Sequence, residues 1–376
     1  MIVAVNARLL KKRRLEGIGN FMDEVLRRVV QSHPEIQFHF IFDHKPDLSF
    51  KYGNNVTLHV LFPPTKHVLL YNYWFNKRLP KVVKKINADL FLSLDSLGSI
   101  KLDIPQHLVL HDINFEHRPQ DLPKSLAKFY QKNTRLLLQK TARIATVSQY
   151  SKADIARTYQ YPSEQIDVVY NAAKELFKPI APEEQEIIRA RYTKGKPYFF
   201  YVGSLHPRKN LLSLLRAFET FKQSDDKETL LLIAGDVMWS YPEFKKQMNA
   251  MRHQKSVVLL GRIPDKRLAE LMACSIALTY IPYFEGFGIP IVEAYASGVP
   301  VITSDQTCLP EIAGKGALFA HPDDLEGIAD QMRLLSRDET LRNELIAAGS
   351  AELMKYSWDK TAALYWESVL KTMSQQ

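Results

Sequence analysis

The sequence predicts an α/β protein made of two parallel-sheet domains in tandem. Three observations carry that reading. Strand-like and helix-like patterns alternate almost from end to end, as they do when helices cover a parallel sheet. The alternation lapses once, over residues 174–196, where Pro179, Pro182 and a Lys-Gly-Lys-Pro turn interrupt it, and then restarts. A chain of 376 residues also exceeds what one ordinary core accommodates. Two halves of similar size imply a cleft between them, with ligands at the carboxyl ends of the strands.

In the first half, strands are expected at residues 2–9, 37–43, 56–62, 89–94, 107–112, 143–147 and 166–170. Each is a short apolar run of the kind that is buried on both faces. Helical spacing falls between them at 19–30, 68–86 and 123–140. The second half repeats the scheme, with strands at 198–202, 230–234, 257–260, 276–281 and 299–303. Its helices read at 210–221, 241–251, 265–273, 290–296, 323–335 and 339–354, and an amphipathic stretch at 358–373 ends the chain. The domains are therefore expected at 1–180 and 190–356, with 174–196 joining them and a helical pattern at 182–191 inside the joint.

Apolar and charged fractions of 46% and 24% are those of a soluble globular protein. No run of eighteen apolar residues appears, so nothing is expected to span a membrane. The start, Met1-Ile2-Val3-Ala4-Val5-Asn6, reads as a strand and lacks the layout of a signal peptide. Cys274 and Cys308 show no metal-ligand spacing, so a reduced, cytoplasmic protein without disulfide or metal is expected. The net charge of +9 is uneven. Residues 1–180 hold 27 Lys+Arg against 16 Asp+Glu, and the remainder 23 against 25. The excess is densest at Lys11-Lys12-Arg13-Arg14 and over Lys77, Arg78, Lys81, Lys84 and Lys85. An anionic membrane surface or a phosphate-bearing acceptor would explain it, and so would a solvated face with no partner. Nucleic acid answers to the same charge, but it is not the partner expected here.

The run Glu285-Gly286-Phe287-Gly288-Ile289-Pro290-Ile291-Val292-Glu293 concentrates the chemistry. A strand precedes it and a helix follows, so backbone N–H groups at a glycine loop can meet an anion. Pro290 suits a first helical position, which puts Glu293 in the first turn, where the helix dipole alone would favour a carboxylate. Glu285 has no such stability argument, and two acids beside a phosphate cradle read as hydroxyl binders rather than as charge partners. The segment Gly203-Ser204-Leu205-His206-Pro207-Arg208-Lys209-Asn210 is the first crossing of the second domain. Arg208 and Lys209 at the opening of a helix oppose its dipole, so an anion site accounts for them better than stability does. His111 and Asp112 end a buried strand, where the histidine is either a satisfied structural residue or a catalytic one. Gly17 and Gly19 bound the first crossing of the first domain; a tight turn and a close approach of phosphate or acceptor both fit. Their spacing is not a dinucleotide fingerprint. No Asp-x-Asp, Walker loop, Gly-x-Ser-x-Gly or His-Glu-x-x-His occurs.

With these residues on the page, nearly the whole chain resembles the family-four glycosyltransferases, retaining enzymes of the GT-B fold. The resemblance is carried by Gly17-Ile18-Gly19, His111-Asp112, the 146–152 segment, 203–210, Gly261-Arg262-Ile263-Pro264-Asp265, 285–293 and Ala294-Tyr295-Ala296-Ser297-Gly298-Val299-Pro300-Val301. It implies two Rossmann-like domains facing across a cleft, with the final helix packed back onto the first. It also implies roles. Glu285 would bind the donor sugar hydroxyls with the backbone of Phe287, Gly288 and Ile289, and Glu293 would hold the ribose. Arg208 and Lys209, beside Ser204, would neutralise the diphosphate, and Arg262 with Ile263 would line the base pocket. His111 would lie beside the reacting sugar carbon. Many relatives carry Arg where this chain has Ser204, and Asn-Gly where it has Asn171-Ala172.

The function expected from this likeness is transfer of a hexose from a nucleotide sugar, mannose from GDP-mannose, to a glycan or lipid-linked acceptor. No cofactor or metal is expected, and the enzyme would be cytoplasmic, with peripheral contact to the inner membrane face. A sugar-nucleotide epimerase on the same fold and a non-catalytic basic binding module are the alternatives.

Overall fold

The computed structural model describes residues 1–12, 15–65, 67–225, 228–236 and 241–374. Arg13 and Arg14 of the basic run therefore lie outside the described residues. The chain divides into two units, 1–171 with 357–376, and 172–356.

The first unit is built on seven parallel strands: β1 (Ile2–Asn6), β2 (Gln37–Phe42), β3 (Val56–Val60), β4 (Leu90–Ser93), β5 (Gln106–Val109), β6 (Ile144–Thr146) and β7 (Ile166–Val168). Their order is β3-β2-β1-β4-β5-β6-β7, so the winding reverses between β1 and β4. These two pair in parallel with Asn6 opposite Ser93. Burial on both faces explains why β4, Leu-Phe-Leu-Ser, is apolar without alternation. The helix Gly17–Ser32 buries Phe21, Met22, Val25, Leu26, Val29 and Val30 on one stripe. Its other face carries the i,i+4 ion pairs Arg27–Asp23 and Arg28–Glu24.

The stretch read as a single helix over 68–86 is α-helical at Val68–Tyr73 and Leu79–Lys85, with a wider π-helical turn at Trp74–Arg78 between them. Pro80 accounts for the difference, because its missing N–H cannot complete the ladder to Asn76. Asn76 is used elsewhere, accepting through Oδ1 from Ile100 N at 2.9 Å. Trp74 Nε1 donates to Leu61 O at 2.8 Å and ties the turn to the end of β3.

The final helix, Trp358–Met373, belongs to this first unit and lies against Gly17–Ser32. It is fastened to the sheet by a buried polar chain. Ser368 Oγ donates to Asp167 Oδ2 at 2.6 Å and accepts from His107 Nε2 at 2.8 Å. Arg143 Nη1 meets the same carboxylate at 2.8 Å. Complete burial pushes His107 down to about 3, so its imidazole is neutral.

The second unit has six parallel strands: β8 (Tyr198–Val202), β9 (Leu230–Ala234), β10 (Val257–Gly261), β11 (Leu278–Tyr280), β12 (Val301–Ser304) and β13 (Ala317–Ala320). The order is β10-β9-β8-β11-β12-β13, and the winding reverses between β8 and β11. Strand β13 escaped the sequence reading, because four residues of Ala-Leu-Phe-Ala carry too little pattern to separate strand from loop. The joining stretch is also resolved: residues 172–181 belong to the second unit, where Phe177 is buried and Lys174 pairs with Asp265 at 2.8 Å. The helix Pro182–Thr193 follows. Among the described residues no helix is long and apolar enough to cross a membrane.

The buried chain at Ser368 generates a stability prediction. Ser368→Ala leaves His107 Nε2 without an acceptor, beside an Nδ1 that already has no partner. The expected loss is about 1–3 kcal/mol, the cost of an orphaned buried polar group. Urea unfolding checks it.

Candidate active site

The carboxyl ends of β8 and β11 flank the reversal point of the second sheet, and that is where the predicted donor residues gather. Past β8 the chain forms a 3-10 turn, Pro207–Lys209, before the helix Leu211–Lys222 begins. Arg208 and Lys209 therefore precede the helix rather than open it. Asn210 makes the joint in a left-handed conformation, its Nδ2 donating to Pro322 O at 2.7 Å. Past β11 the chain runs through Ile281 to Glu285, and Tyr283 N donates back to Arg208 O at 2.9 Å.

Glu285 is 7% exposed, yet ionised. Burial by itself pushes its carboxyl up; the Arg208 and Lys209 charges outweigh this and hold it below the ordinary carboxylate value. Arg208 Nη1 stands 3.0 Å from Glu285 Oε1 and donates to Phe284 O at 2.7 Å. Lys209 Nζ donates to the same Oε1 and, at 2.6 Å, to the Tyr280 hydroxyl, which also hydrogen-bonds Glu285. The backbone of Glu285 is held as well: its N donates to Thr307 Oγ1 at 3.4 Å, and Cys308 Sγ donates to its carbonyl at 3.2 Å. To the sequence reading of Glu285 as a hydroxyl binder beside an anion site, the structure adds that it is the ionised partner of Arg208 and Lys209. The three side chains form one buried cluster of net charge +1. Tyr280, Thr307 and Cys308 were not foreseen, because a strand tyrosine and two loop residues carry no local signal of what they touch.

The glycine loop is built for close contact. Gly288 has φ 91° and heads the helix Ile289–Ala296; a Cβ there would come within 2.9 Å of Leu309 Cδ2. At the neighbouring crossing, a Cβ on Gly235 would fall 1.8 Å from Gly203 O, so these two loops pass backbone to backbone. Phe287 is buried, its ring edge-on to Tyr356 at 5.5 Å, which leaves only its backbone for a ligand. Ile289 is half-buried, and so is Ser204, whose carbonyl accepts from Tyr201.

Glu293 is the fifth residue of its helix, beyond the first turn. The dipole explanation offered by the sequence therefore weakens. Its side chain is 8% exposed and has no hydrogen-bond or ion-pair partner among the described residues. Burial pushes its pKa up to about 8, with Lys174 opposing and Asp265 adding to the rise. A buried carboxyl without a partner is costly to an empty protein and useful to one that binds hydroxyls. Arg262 and Ile263 follow β10 on the same side of the sheet. Arg262 is exposed, its N donating to Asp236 Oδ1 at 3.2 Å, and Ile263 is half-buried.

The remaining predicted residues lie in the first unit. His111 is buried and neutral: burial lowers its pKa, and Nε2–H donates to Leu94 O at 2.9 Å, leaving Nδ1 as the acceptor. The Phe21 ring meets it edge-on at 5.0 Å. Gly17 and Gly19 sit inside the first turn of their helix, not in a loop ahead of it. Gly19 serves packing, since a Cβ there would stand 3.1 Å from Leu9 O.

Comparison with known proteins identifies the family. Residues 15–174 match the model for Glycosyltransferase Family 4, and residues 183–352 that for Glycosyl transferases group 1. An O-antigen chain mannosyltransferase B from Escherichia coli is 30% identical over 256 residues, 66% of this chain and 66% of that protein. RfbU, an O-antigen chain mannosyltransferase of Salmonella typhimurium, is 28% identical over 68% of this chain and 66% of its own length. The matched segments thus span about two thirds of these relatives. Among solved structures, a sucrose-phosphate synthase from Thermosynechococcus elongatus superposes with a TM-score of 0.79 at 15% identity, covering all of both chains. Anabaena HepE, solved with UDP and glucose, gives 0.74 at 16% identity, covering 100% of this chain and 99% of its own. Matched along both halves by sequence and throughout by fold, the chain belongs to glycosyltransferase family four and has the GT-B architecture.

Proposed function

We propose that this protein moves a hexose, mannose from GDP-mannose, onto a glycan or lipid-linked acceptor, with retention and without a metal. The observation that carries the reading is Glu293: a buried carboxyl with no partner of its own, in the helix that follows the glycine loop. Ribose hydroxyls would supply the donors it lacks. Arg208 and Lys209 support the diphosphate, because together they exceed the charge of Glu285 by one and lie where the strands part. The mannosyltransferase names of the sequence relatives favour the sugar, and the UDP–glucose complex of a structural neighbour favours a nucleotide-sugar donor.

In the reaction, the bond from the anomeric carbon to the β-phosphate oxygen breaks. A bond to the acceptor oxygen forms on the same face, and the acceptor proton passes to the departing phosphate. Arg208 and Lys209 stabilise the charge that grows on that phosphate, which is the part a metal would otherwise take. Glu285, held by Lys209 and Tyr280, accepts hydrogen bonds from the sugar hydroxyls.

Peripheral membrane contact fits the first unit. Residues 48–88 contain no Asp or Glu but seven Lys or Arg. On the helical segments within them, Leu69 is 83% exposed and Tyr73 is exposed, followed by exposed Lys77, Arg78, Lys81, Lys84 and Lys85. Apolar tips beside unopposed cations suit an anionic bilayer.

Three outcomes are expected. Glu285→Gln lowers kcat for sugar transfer by about 10²–10³-fold, while GDP binding is kept or tightened because Arg208 and Lys209 lose their counter-charge. In the same assay wild-type transfer survives a chelator; loss restored by magnesium would overturn metal independence. Glu293→Gln raises the donor KM by about 10–100-fold, the worth of one hydrogen bond to a charged group. Without ligand the same variant is more heat-stable than wild type at pH 8 and equal to it at pH 4. The sign follows from the raised pKa: the wild type holds its full stability below the ordinary carboxylate value of 4.5 and loses it as pH rises through about 8. Finally, Lys77→Glu with Lys81→Glu and Lys84→Glu abolishes salt-sensitive sedimentation with phosphatidylglycerol vesicles. Equal sedimentation of variant and wild type would remove the membrane contact.

A further inference from the structure

Of the non-glycine residues that hold a positive φ among the described residues, Thr307 is the one with a branched β-carbon. Gln160 and Lys194 adopt this backbone to end a helix, and neither carries a branch that would clash. Thr307, at φ 58°, sits between the end of β12 and the helix Leu309–Ala313. Glycine or asparagine meets a left-handed turn of this kind with little strain, whereas a β-branched residue is forced against its own backbone. Such strain persists only where the surroundings hold it, and it gathers at functional sites.

What holds Thr307 is its contact with Glu285. That residue lies between β11 and the helix Ile289–Ala296, so neither a strand ladder nor a helix takes up its N–H and carbonyl. Two consecutive side chains do so instead. Glu285 N donates to Thr307 Oγ1 at 3.4 Å, and Cys308 Sγ donates to Glu285 O at 3.2 Å. In an extended chain, neighbouring side chains point to opposite sides. The left-handed step at 307 turns the chain so that both reach one residue. The branch then has a use, because it confines χ1 and with it the direction of the hydroxyl. The turn is anchored on either side. Asp305 N donates to Ala320 O at 3.2 Å, and Leu309 packs so close to Gly288 that a Cβ there would meet its Cδ2 at 2.9 Å.

Glu285 is thus fixed twice. Its carboxylate is held by Arg208, Lys209 and Tyr280, and its backbone by the loop that follows β12. A group locked at tip and root from different strands has little freedom to drift from one position. We infer that Thr307 is a positioning residue for sugar transfer, its strained turn bracing the backbone of Glu285 so that the carboxylate meets the sugar hydroxyls. Thr307 acts through Glu285 and is not itself a catalytic residue. Its part in transfer rests on the reading of Glu285 as the group that holds the donor sugar; the brace does not.

Three variants of the full chain test this. Thr307→Gly removes hydroxyl and strain together, Thr307→Val keeps the branch without the hydroxyl, and Thr307→Ser keeps the hydroxyl without the branch. The first two are expected to lower kcat by about 10–100-fold, the cost of a misplaced group, with the donor KM within about threefold. Thr307→Ser is expected to restore most of the rate, falling short by about threefold because its χ1 is freer. Thr307→Gly should nonetheless unfold on heating no earlier than wild type, and later than Thr307→Val, since relief of the turn offsets the lost contact. Hydrogen exchange followed by mass spectrometry over residues 284–288 should quicken about tenfold in the glycine and valine variants. Full kcat in either of these would overturn the role, as would unchanged exchange at 284–288 or a loss of activity that only tracks a lowered unfolding temperature. Quickened exchange in variants of a wild type that transfers no sugar would uphold the brace and overturn the transferase reading of Glu285.

Discussion

The second unit depends on keeping one buried carboxylate ionised. Glu285 sits where β8 and β11 send their chains to opposite faces of the sheet, at a depth where burial alone would protonate it. Arg208 and Lys209 prevent this, and neither is free to leave. One is tied to the Phe284 carbonyl and the other to the Tyr280 phenol, and the backbones of the two loops are bonded at Tyr283. The glycines at 203, 235 and 288 let those loops approach closely enough for the cluster to form. Removing one cation would leave a buried charge short of a partner, which costs far more than an exposed ion pair is worth.

The two sheets solve the same problem with different charge. Each is parallel, each reverses its winding once, and each places an arginine–carboxylate pair just beyond the strands that flank the reversal. In the second unit a lysine is added, and the cluster carries +1. In the first, the charges of Arg8 and Asp95 cancel. Glu293 is a place where a buried carboxyl has no hydrogen-bond or ion-pair partner among the described residues. Such groups are rarely tolerated in a folded chain unless a ligand completes them.

The architecture was largely legible in the sequence. Twelve of the strands announced themselves as short apolar or β-branched runs between polar turns, the central ones buried on both faces and the edge strands β3 and β10 less so. The exceptions have physical causes. Strand β13 is too short to show a pattern, and the π-helical turn at 74–78 follows from the missing N–H of Pro80, which periodicity does not report. Glu285, Glu293, Arg208 and Lys209 could be found from the chain because strand, glycine loop and charge occur together in sequence. Arg8, Asp95 and Tyr280 could not, since each lies in an apolar strand or just past one and acquires its meaning from residues 63 to 87 positions away.

What the sequence determined by itself was the sequence of elements and the residue types available at the carboxyl ends of the strands. Local pattern suffices for that, because helix and strand periods are written along the chain. Only the tertiary structure decided the charge state and partnership of those residues. Glu285 became the ionised partner of Arg208 and Lys209, Glu293 a carboxyl pushed to about 8 and left without a partner, and His111 a neutral acceptor. The reason is that burial and Coulomb energy depend on distance in space, and strand order sets that distance.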